Sequence, residues 1–386
     1  HSPARLLGTS AGAITAVSLA AGYTPDEMLL ALQEKDAAGK SVMEAFLGDP
    51  EPFDAEAIRQ SAVHKFLQDV DLPLVPDWAE SRFDEWLARK LATDRRARHF
   101  FSFVERGGWY SADPFVAWLE CRLDQPRPDG RARGYGRLTL SEFYEATGVE
   151  LTLVAADTSA ARMLLLNHRT APGCPVVWAA RMSMSVPLLW QEVEWQAGWG
   201  AYHAWDAAAG ELRPLDLAGH CVVDGGLLSN FPIALYLADR PDVAAVVGPA
   251  HTANVLGLLI DESLSVPNRP EKPAAASRFS FGSLRTVDRI HRLLSTATAA
   301  HDNMAISAFA RHVVRLPAGG YGTVEFDMDD DKRRALVEAG EAAMGAFLGQ
   351  QTVLEGVAIP RGAGGFAVGA DERDLANDAA LAILGR

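Results

Sequence analysis

The apolar residues at the beginning of the chain predict a strand, a sharp turn and a helix. A short apolar segment within residues 1–7 leads into Gly8–Gly12 (GTSAG), and small and apolar residues then run from Ala13 to Ala21. A short apolar run that ends in glycine is typical of a buried strand followed by a tight turn. The second run ends at Gly22, as expected for a helix that packs closely on a sheet. Since the strand has no preceding element to pair with, we expect native sequence upstream.

Residues 24–136 interrupt this pattern with a long segment of mostly helical periodicity. Asp26 begins one helical stretch, and aromatic residues recur through the segment as far as Trp118. Residues 125–136 (QPRPDGRARGYG) are rich in Pro, Gly and Arg, a composition that favours a loop. We therefore predict a helical insertion or cap over residues 24–136 that ends in this loop.

Strand and helix patterns alternate again after the insertion. The predicted helices are 138–147, 286–309 and 331–348, and the predicted strands are 149–156, 221–223, 244–247 and 255–260. Residues 161–167 form another strand or a turn, and a short apolar segment covers 176–180. We predict a loop over residues 261–282 and a mainly helical C-terminal region over residues 283–386. Alternating strands and helices predict an α/β fold with a central sheet. We expect one domain over residues 1–386.

Composition and charge narrow the class of protein and of partner. The chain has 386 residues, of which 48% are hydrophobic and 22% charged, as in a compact globular protein. Its formal net charge of −14 repels nucleic-acid phosphates, so we expect no nucleic-acid partner. No apolar run reaches the roughly 18–20 residues that span a bilayer. The three cysteines form no Cys-x-x-Cys pair, which favours a reducing compartment, and we expect a cytoplasmic protein.

We predict neither a cofactor nor a catalytic metal. The ten histidines include no His-Glu-x-x-His pattern. The acidic run at residues 327–331 lacks the glycine and the distal glutamate of an EF-hand loop. It fits the start of a helix better, because carboxylates are favoured at the positive end of a helix dipole.

The candidate nucleophile is Ser10 in the Gly-x-Ser-x-Gly pattern. In this pattern a serine lies on a tight turn between strand and helix with its hydroxyl exposed, and Gly8 and Gly12 give room for the turn. The backbone N–H of Ala11 would lie at a helix N-terminus, where it can stabilise the oxyanion of a tetrahedral intermediate. A serine hydroxyl is a weak nucleophile, so a base must accept its proton.

The candidate base is Asp224, which ends an apolar strand. Gly225 and Gly226 follow it in the segment DGGLLSNFP. A carboxylate between a buried strand and two glycines is positioned in a cleft rather than simply solvated. A turn aspartate that caps a loop is the common alternative, and the presence of Ser10 favours the catalytic interpretation.

Three segments together resemble the signatures of the patatin-like phospholipase family. They are GTSAG at Gly8–Gly12, RMSMSVP at Arg181–Pro187 and DGGLLSNFP at Asp224–Pro232, in this order. The resemblance implies a three-layer α/β/α fold, hydrolysis of lipid acyl esters, and a Ser10–Asp224 dyad without histidine. The family's glycine-rich oxyanion loop precedes the nucleophile, and only nine residues do so here, so we expect that loop upstream.

The resemblance also bears on partners and on the insertion. It implies a lipid or ester substrate and transient contact with a membrane surface, for which Arg95, Arg96 and Arg98 could supply a local basic patch. The sequence gives no signal of subunit number. The insertion is either a lid or acyl-chain pocket, or an ordinary helical subdomain with its own core. Arg181 and Ser183 either line the cleft or serve packing and capping.

Three alternatives remain open on sequence alone. A Ser-His-Asp hydrolase of the α/β-hydrolase type could use Ser10, Asp224 and His251 in that chain order. A non-catalytic protein could bind an anion or lipid at the helix that follows Ser10. The glycine-rich segment 360–366 (PRGAGGF) could replace the missing oxyanion loop, although a surface tail is the simpler interpretation.

Overall fold

A computed structural model gives the fold of the chain. It describes residues 3–35, 41–63, 65, 90, 91, 93–249, 255–267, 306–321, 328, 330–356 and 369–384. The chain divides into two compact units. The first comprises His1–Tyr202 and Asp216–Gly225, and the second comprises His203–Leu215 and Gly226–Arg386.

The described residues form helices and strands in alternation. The helices are α1 (Ala11–Ala20), α2 (Pro25–Gln33), α3 (Val42–Ala45), α4 (Ala55–Gln60), α5 (Arg95–Glu105), α6 (Asp113–Asp124), α7 (Leu140–Thr147), α8 (Val176–Ser183), α9 (Ala234–Leu237), α10 (Pro241–Val247), α11 (Asp330–Gly356) and α12 (Ala370–Leu384). The strands are β1 (Arg5–Thr9), β2 (Gly108–Tyr110), β3 (Glu150–Asp157), β4 (Arg162–Leu166), β5 (Leu188–Trp190), β6 (Val193–Glu194), β7 (Tyr202–Asp206), β8 (Glu211–Leu215), β9 (Cys221–Asp224), β10 (Gly257–Ser265) and β11 (Val313–Gly319). The predicted α/β class with a central mixed sheet is confirmed.

Strand β3 is the centre of a five-stranded sheet in the first unit. It pairs with β1 in parallel and with β4 and β9 antiparallel, and β9 pairs in turn with β6. Strand β4 covers one edge of β3 from Leu153 to Asp157. Since a strand has only two edges, β1 and β9 share the other edge. Along that edge β1 lies opposite Glu150–Val154 and β9 lies opposite Ala155–Asp157, so the two strands meet end to end.

Small residues let α1 pack closely on this sheet. Ala13, Ala16, Val17 and Ala20 are buried, and α1 contacts both β1 and β3. After the helix, Gly22 adopts a φ of 78°, a left-handed conformation that glycine adopts without strain. The predicted strand, sharp turn and helix are therefore confirmed.

The segment predicted as a helical insertion contains α2 to α6 and one strand. The structure adds β2 to the predicted helices, and β2 pairs in parallel with β5. A separate apolar cluster in this segment consists of Phe53, Ile58, Leu91 and Phe101. Part of this segment thus has a small apolar core of its own, and both the lid and the subdomain stay predictions.

Two predictions for the second unit are wrong. Residues 244–247 were expected to form a strand, but they belong to α10, which begins at Pro241. The buried residues Val243, Val246 and Val247 follow helical spacing, and a proline in the first turn favours a helix start. The predicted loop at 261–282 begins too early, because β10 continues to Ser265 and pairs with β11. Residues 268–305 lie outside the described residues. They include the rest of that loop and most of the predicted helix 286–309.

The strands β10 and β11 show why this loop prediction failed. They form a two-stranded parallel sheet, and Glu262, Ser263 and Ser265 at the end of β10 are exposed whereas Asp261 is buried. The polar end of β10 is held by side-chain contacts, since the Arg315 guanidinium on β11 binds the Asp261 carboxylate at 2.5 Å. The polar residues in this stretch therefore lie on an exposed part of a strand or in an ion pair, and they do not form a loop.

Candidate active site

The sharp turn between β1 and α1 places Ser10 in an unusual backbone conformation. Ser10 has a φ of 56° and a ψ of −125°, and it is the residue immediately before the first residue of α1. A residue with a side chain costs about 1–3 kcal/mol in such a region, and such strain clusters at functional sites. The turn is tight, because a Cβ at Gly8 would lie 2.3 Å from the carbonyl oxygen of Gly12. Glycine at position 8 is therefore required by the close approach of the backbone.

Ser10 and Asp224 come together on the edge of β3 that β1 and β9 share. Thr9, the last residue of β1, pairs with Val154, and Asp224, the last residue of β9, pairs with the next residue, Ala155. The chain therefore reaches Ser10 at the level where β9 delivers Asp224. Asp224 is 4% exposed, whereas Ser10 is partly exposed. The two predicted residues are neighbours at one point of the sheet, although they are far apart in sequence.

The glycines after Asp224 allow this convergence. A Cβ at Gly225 would lie 2.5 Å from the carbonyl oxygen of Val154, so only glycine fits where the chain passes β3. Gly225 is buried and opens a 3-10 turn, Gly225–Leu227, that includes Gly226. Asp224 is thus followed at once by a turn rather than by more strand.

Backbone N–H groups at the start of α1 lie next to Ser10. Ala11 is the first residue of the helix, so its N–H has no acceptor within α1. Ala11 and Gly12 are both exposed, and no neighbouring atom lies within 4 Å of a Cβ built at Gly12. In this position the Ala11 N–H can donate a hydrogen bond to a negatively charged oxygen of a group bound to Ser10.

The buried Ser183 contacts the nucleophile turn. The backbone N–H of Ser10 donates to Ser183 Oγ at 3.1 Å, and that hydroxyl donates to the Val154 carbonyl at 2.6 Å. Two residues later, the carbonyl of Ser185 accepts the backbone N–H of Asp224 at 2.9 Å. The segment RMSMSVP points to this region of the chain in the sequence, but its residue types do not predict these contacts.

Arg181 anchors the same segment from inside the protein. Its guanidinium donates to Ser185 Oγ and, at 2.8 Å, to the carbonyl of Gln191. Burial lowers the pKa of Arg181 to about 10, with the carboxylate of Asp113 acting in the opposite direction. Arg181 therefore remains a cation at neutral pH and holds the loop that carries Ser185.

Several residues named from sequence lie outside the described part of the chain. They are His251, the glycine-rich segment 360–366, and Asp327 and Asp329 of the acidic run. Among the residues that the structure describes, no group of three or more His, Cys, Asp or Glu side chains could hold a metal ion. In the same residues, no helix is long and apolar enough to cross a membrane.

Comparison with known proteins identifies the family. The patatin-like phospholipase model matches residues 2–237, more than half of the chain and the part that contains Ser10 and Asp224. A patatin-like phospholipase domain-containing protein of Cryptococcus neoformans var. neoformans serotype D, CNBE2340, is 29% identical over 133 residues. That match covers 32% of this chain and 14% of the fungal protein.

Two further matches cover most of the chain. The uncharacterized protein YqhO of Bacillus subtilis is 25% identical over 355 residues, which are 90% of this chain and 89% of YqhO. Among solved structures, VipD from Legionella pneumophila is similar over 89% of this chain and 60% of its own, with 14% identity and a TM-score of 0.37. On the match over residues 2–237, the chain belongs to the patatin-like phospholipase family, and this membership supports lipid hydrolase activity.

Proposed function

We propose that the protein hydrolyses fatty-acyl ester bonds of phospholipids or other lipids, with Ser10 as nucleophile and Asp224 as base. The observation that carries the proposal is the meeting of β1 and β9 on one edge of β3, which brings Ser10 and Asp224 to the same level. The strained backbone of Ser10 and the adjacent start of α1 give independent support.

The proposed reaction has two halves that use the same base. Asp224 accepts the Ser10 proton while Ser10 Oγ attacks the ester carbonyl, and the oxyanion accepts a hydrogen bond from the Ala11 N–H. The tetrahedral intermediate collapses, the alcohol leaves with the proton from Asp224, and the acyl group stays on Ser10. Asp224 then accepts a proton from water, which attacks the acyl-enzyme, and Ser10 recovers its proton as the fatty acid leaves.

The Ser-His-Asp alternative differs in one residue. It needs His251 between Asp224 and Ser10, whereas the dyad needs Asp224 next to Ser10 without an intermediary. The pairing of Asp224 with Ala155, one residue beyond the partner of Thr9, favours the dyad. Replacement of His251 by Ala leaves hydrolysis intact in the dyad and abolishes it in the triad.

The non-catalytic alternative makes a different prediction for the same site. An anion or lipid held at the start of α1 needs the N–H groups of Ala11 and Gly12 but not the Ser10 hydroxyl. Ser10→Ala would then bind the anion or lipid as well as the wild-type protein does. In the proposed enzyme, the same variant loses hydrolysis.

A panel of phospholipids, galactolipids, triacylglycerols and short soluble esters tests the proposal. We expect wild-type protein to release fatty acid from at least one lipid class, and Ser10→Ala and Asp224→Asn to release none. Because Asn has nearly the size of Asp, a loss in Asp224→Asn reports on the base rather than on packing. Failure of the wild-type protein on every lipid and ester would refute the proposal, as would retained hydrolysis in Ser10→Ala.

For the contact with a lipid surface, we propose the exposed face of α5. Phe100 and Val104 lie one turn apart on this helix and are 55% and 43% exposed. Arg96 is exposed one turn earlier on the same face. Apolar side chains beside a cation suit an interface between anionic headgroups and acyl chains.

Sedimentation with vesicles of phosphatidylcholine and phosphatidylserine tests this face. We expect the double variant Phe100→Ser, Val104→Ser to sediment less with the vesicles than wild type while it hydrolyses a soluble ester normally. Leu375→Ser is the matched control, since Leu375 is an exposed leucine on α12. Equal sedimentation of the double variant and wild type would remove the assignment.

A further inference from the structure

We infer that Ser183 is a positioning residue that fixes the backbone of the nucleophile Ser10, an inference that rests on the proposed function. Ser183 is fully buried at the C-terminal end of α8. Its hydroxyl accepts the Ser10 N–H at 3.1 Å and donates to the Val154 carbonyl at 2.6 Å. One hydroxyl thus links the nucleophile turn to the central strand.

The register of the sheet explains why such a link is needed. The backbone N–H of Glu150 donates to the carbonyl of Ala4 at 3.0 Å, and the alternation of a parallel pair then directs Val154 C=O toward Ser10 N–H. At Ser10 the chain turns away from β3 into α1 with a φ of 56°. The Ser183 hydroxyl lies between the two groups and completes the last hydrogen-bonded step of the ladder.

The same turn of chain also holds the proposed base. The carbonyl of Ser185 accepts the Asp224 N–H at 2.9 Å, and the Arg181 guanidinium binds Ser185 Oγ. Residues 183–185 therefore bind the backbone N–H groups of both Ser10 and Asp224. We therefore infer that these contacts fix the nucleophile and the base relative to one another.

Removal of the Ser183 hydroxyl has a specific consequence for chemistry. In Ser183→Ala the Ser10 N–H and the Val154 carbonyl lose their common hydrogen-bond partner. Without the hydroxyl, the Ser10 N–H loses its hydrogen-bonded link to β3, and we expect the strained conformation of Ser10 to relax toward ordinary backbone angles. A misplacement of about 1 Å at a reacting group can lower the rate roughly 100-fold. We expect that loss in kcat with little change in KM.

Ser102 provides a matched control for the stability effect. It is also fully buried, and its hydroxyl makes the same pair of bonds, donating to the Gly108 carbonyl at 2.7 Å and accepting from Gln191 Nε2 at 2.8 Å. Ser102→Ala therefore loses equivalent hydrogen bonds without a contact to Ser10. Both variants are expected to lower the unfolding midpoint by similar amounts.

The test measures the rate of Ser10 modification by a fluorophosphonate, together with kcat and KM on a soluble ester, at a temperature where all variants are folded. We expect Ser183→Ala to react roughly 100-fold more slowly than Ser102→Ala. Ser183→Cys replaces the hydroxyl by a somewhat larger thiol that is only a weak hydrogen-bonding group, and we expect an intermediate rate.

Three outcomes distinguish the failure of this inference from the failure of the proposed function. If wild-type protein neither reacts with the probe nor hydrolyses an ester, the proposed function fails. If wild type is active and Ser183→Ala reacts as fast as Ser102→Ala, the positioning role fails while the proposed function stands. If Ser183→Ala does not fold, a Ser183→Cys rate equal to that of wild type contradicts the role.

Discussion

Alanine substitution at the two glycines of the nucleophile turn should have opposite effects on stability. A Cβ at Gly8 would lie 2.3 Å from the Gly12 carbonyl oxygen and 2.7 Å from Ala13 Cα. These are backbone atoms at the start of α1, so the helix must move away from β1 to admit a methyl group. Overpacking of this kind typically costs about 1–3 kcal/mol of unfolding free energy.

Gly12 differs because it lies inside α1 and has open space around it. No neighbouring atom lies within 4 Å of a Cβ built there, and its φ is not among the left-handed ones. Replacement of a helical glycine by alanine stabilises a helix by about 0.5–1 kcal/mol, because glycine loses more backbone entropy on folding. The two variants should therefore differ by about 1.5–4 kcal/mol, the range that these two effects span together.

Urea unfolding followed by circular dichroism measures this difference, and fluorophosphonate reaction reports on Ser10 in the same samples. We expect Gly8→Ala to lower the unfolding midpoint and to slow the reaction at Ser10. Gly12→Ala is expected to raise the midpoint. The reasoning is refuted if Gly8→Ala is as stable as wild type, or if the two variants shift the midpoint in the same direction.

Two further predictions concern buried groups in the first unit. Cys174 is buried, and burial raises the pKa of its thiol. Maleimide at pH 8 should therefore modify the exposed Cys121 in native protein and reach Cys174 only after unfolding. Modification of Cys174 in the native protein would contradict its burial. The side chain of Arg133 is fully buried and donates to the Glu27 carboxylate at 2.9 Å and to the backbone carbonyls of Ala21 and Pro126. Arg133→Met leaves these carbonyls, including that of the buried Ala21, without this partner and should lower the unfolding free energy by at least about 1–3 kcal/mol, as measured in urea. Burial acts to raise the pKa of Glu27, but hydrogen bonds from Thr24 and Arg133 outweigh it and keep that pKa below its ordinary value. The stabilisation from this pair should therefore be present at neutral pH and be lost as the pH falls through the lowered pKa, and Arg133→Met should flatten that acid limb.

The local parts of the site could be predicted from sequence. Gly8 and Ser10 were recognisable because a turn this tight excludes a Cβ, and only a few residue patterns permit it. Asp224 was recognisable because glycine follows it where the chain passes against Val154. Each of these signals is confined to a few neighbouring residues, so a short motif carries it.

The parts that depend on tertiary contacts could not be predicted. Ser183 is one serine in RMSMSVP, and its contact with Ser10 arises only when α8 packs against β3. The helix α10 was mistaken for a strand because its apolar run hides the helical spacing of its buried valines. The end of β10 was mistaken for a loop because Asp261 is polar, while the ion pair that holds it comes from the distant Arg315.

The most direct test of the Ser10–Asp224 account is intact-mass and peptide analysis after fluorophosphonate treatment of wild type, Ser10→Ala and Asp224→Asn. The account predicts one probe adduct per wild-type molecule, located on Ser10, and no adduct on either folded variant within the same reaction time. An adduct on another residue, or equal labelling of Asp224→Asn and wild type, would contradict it.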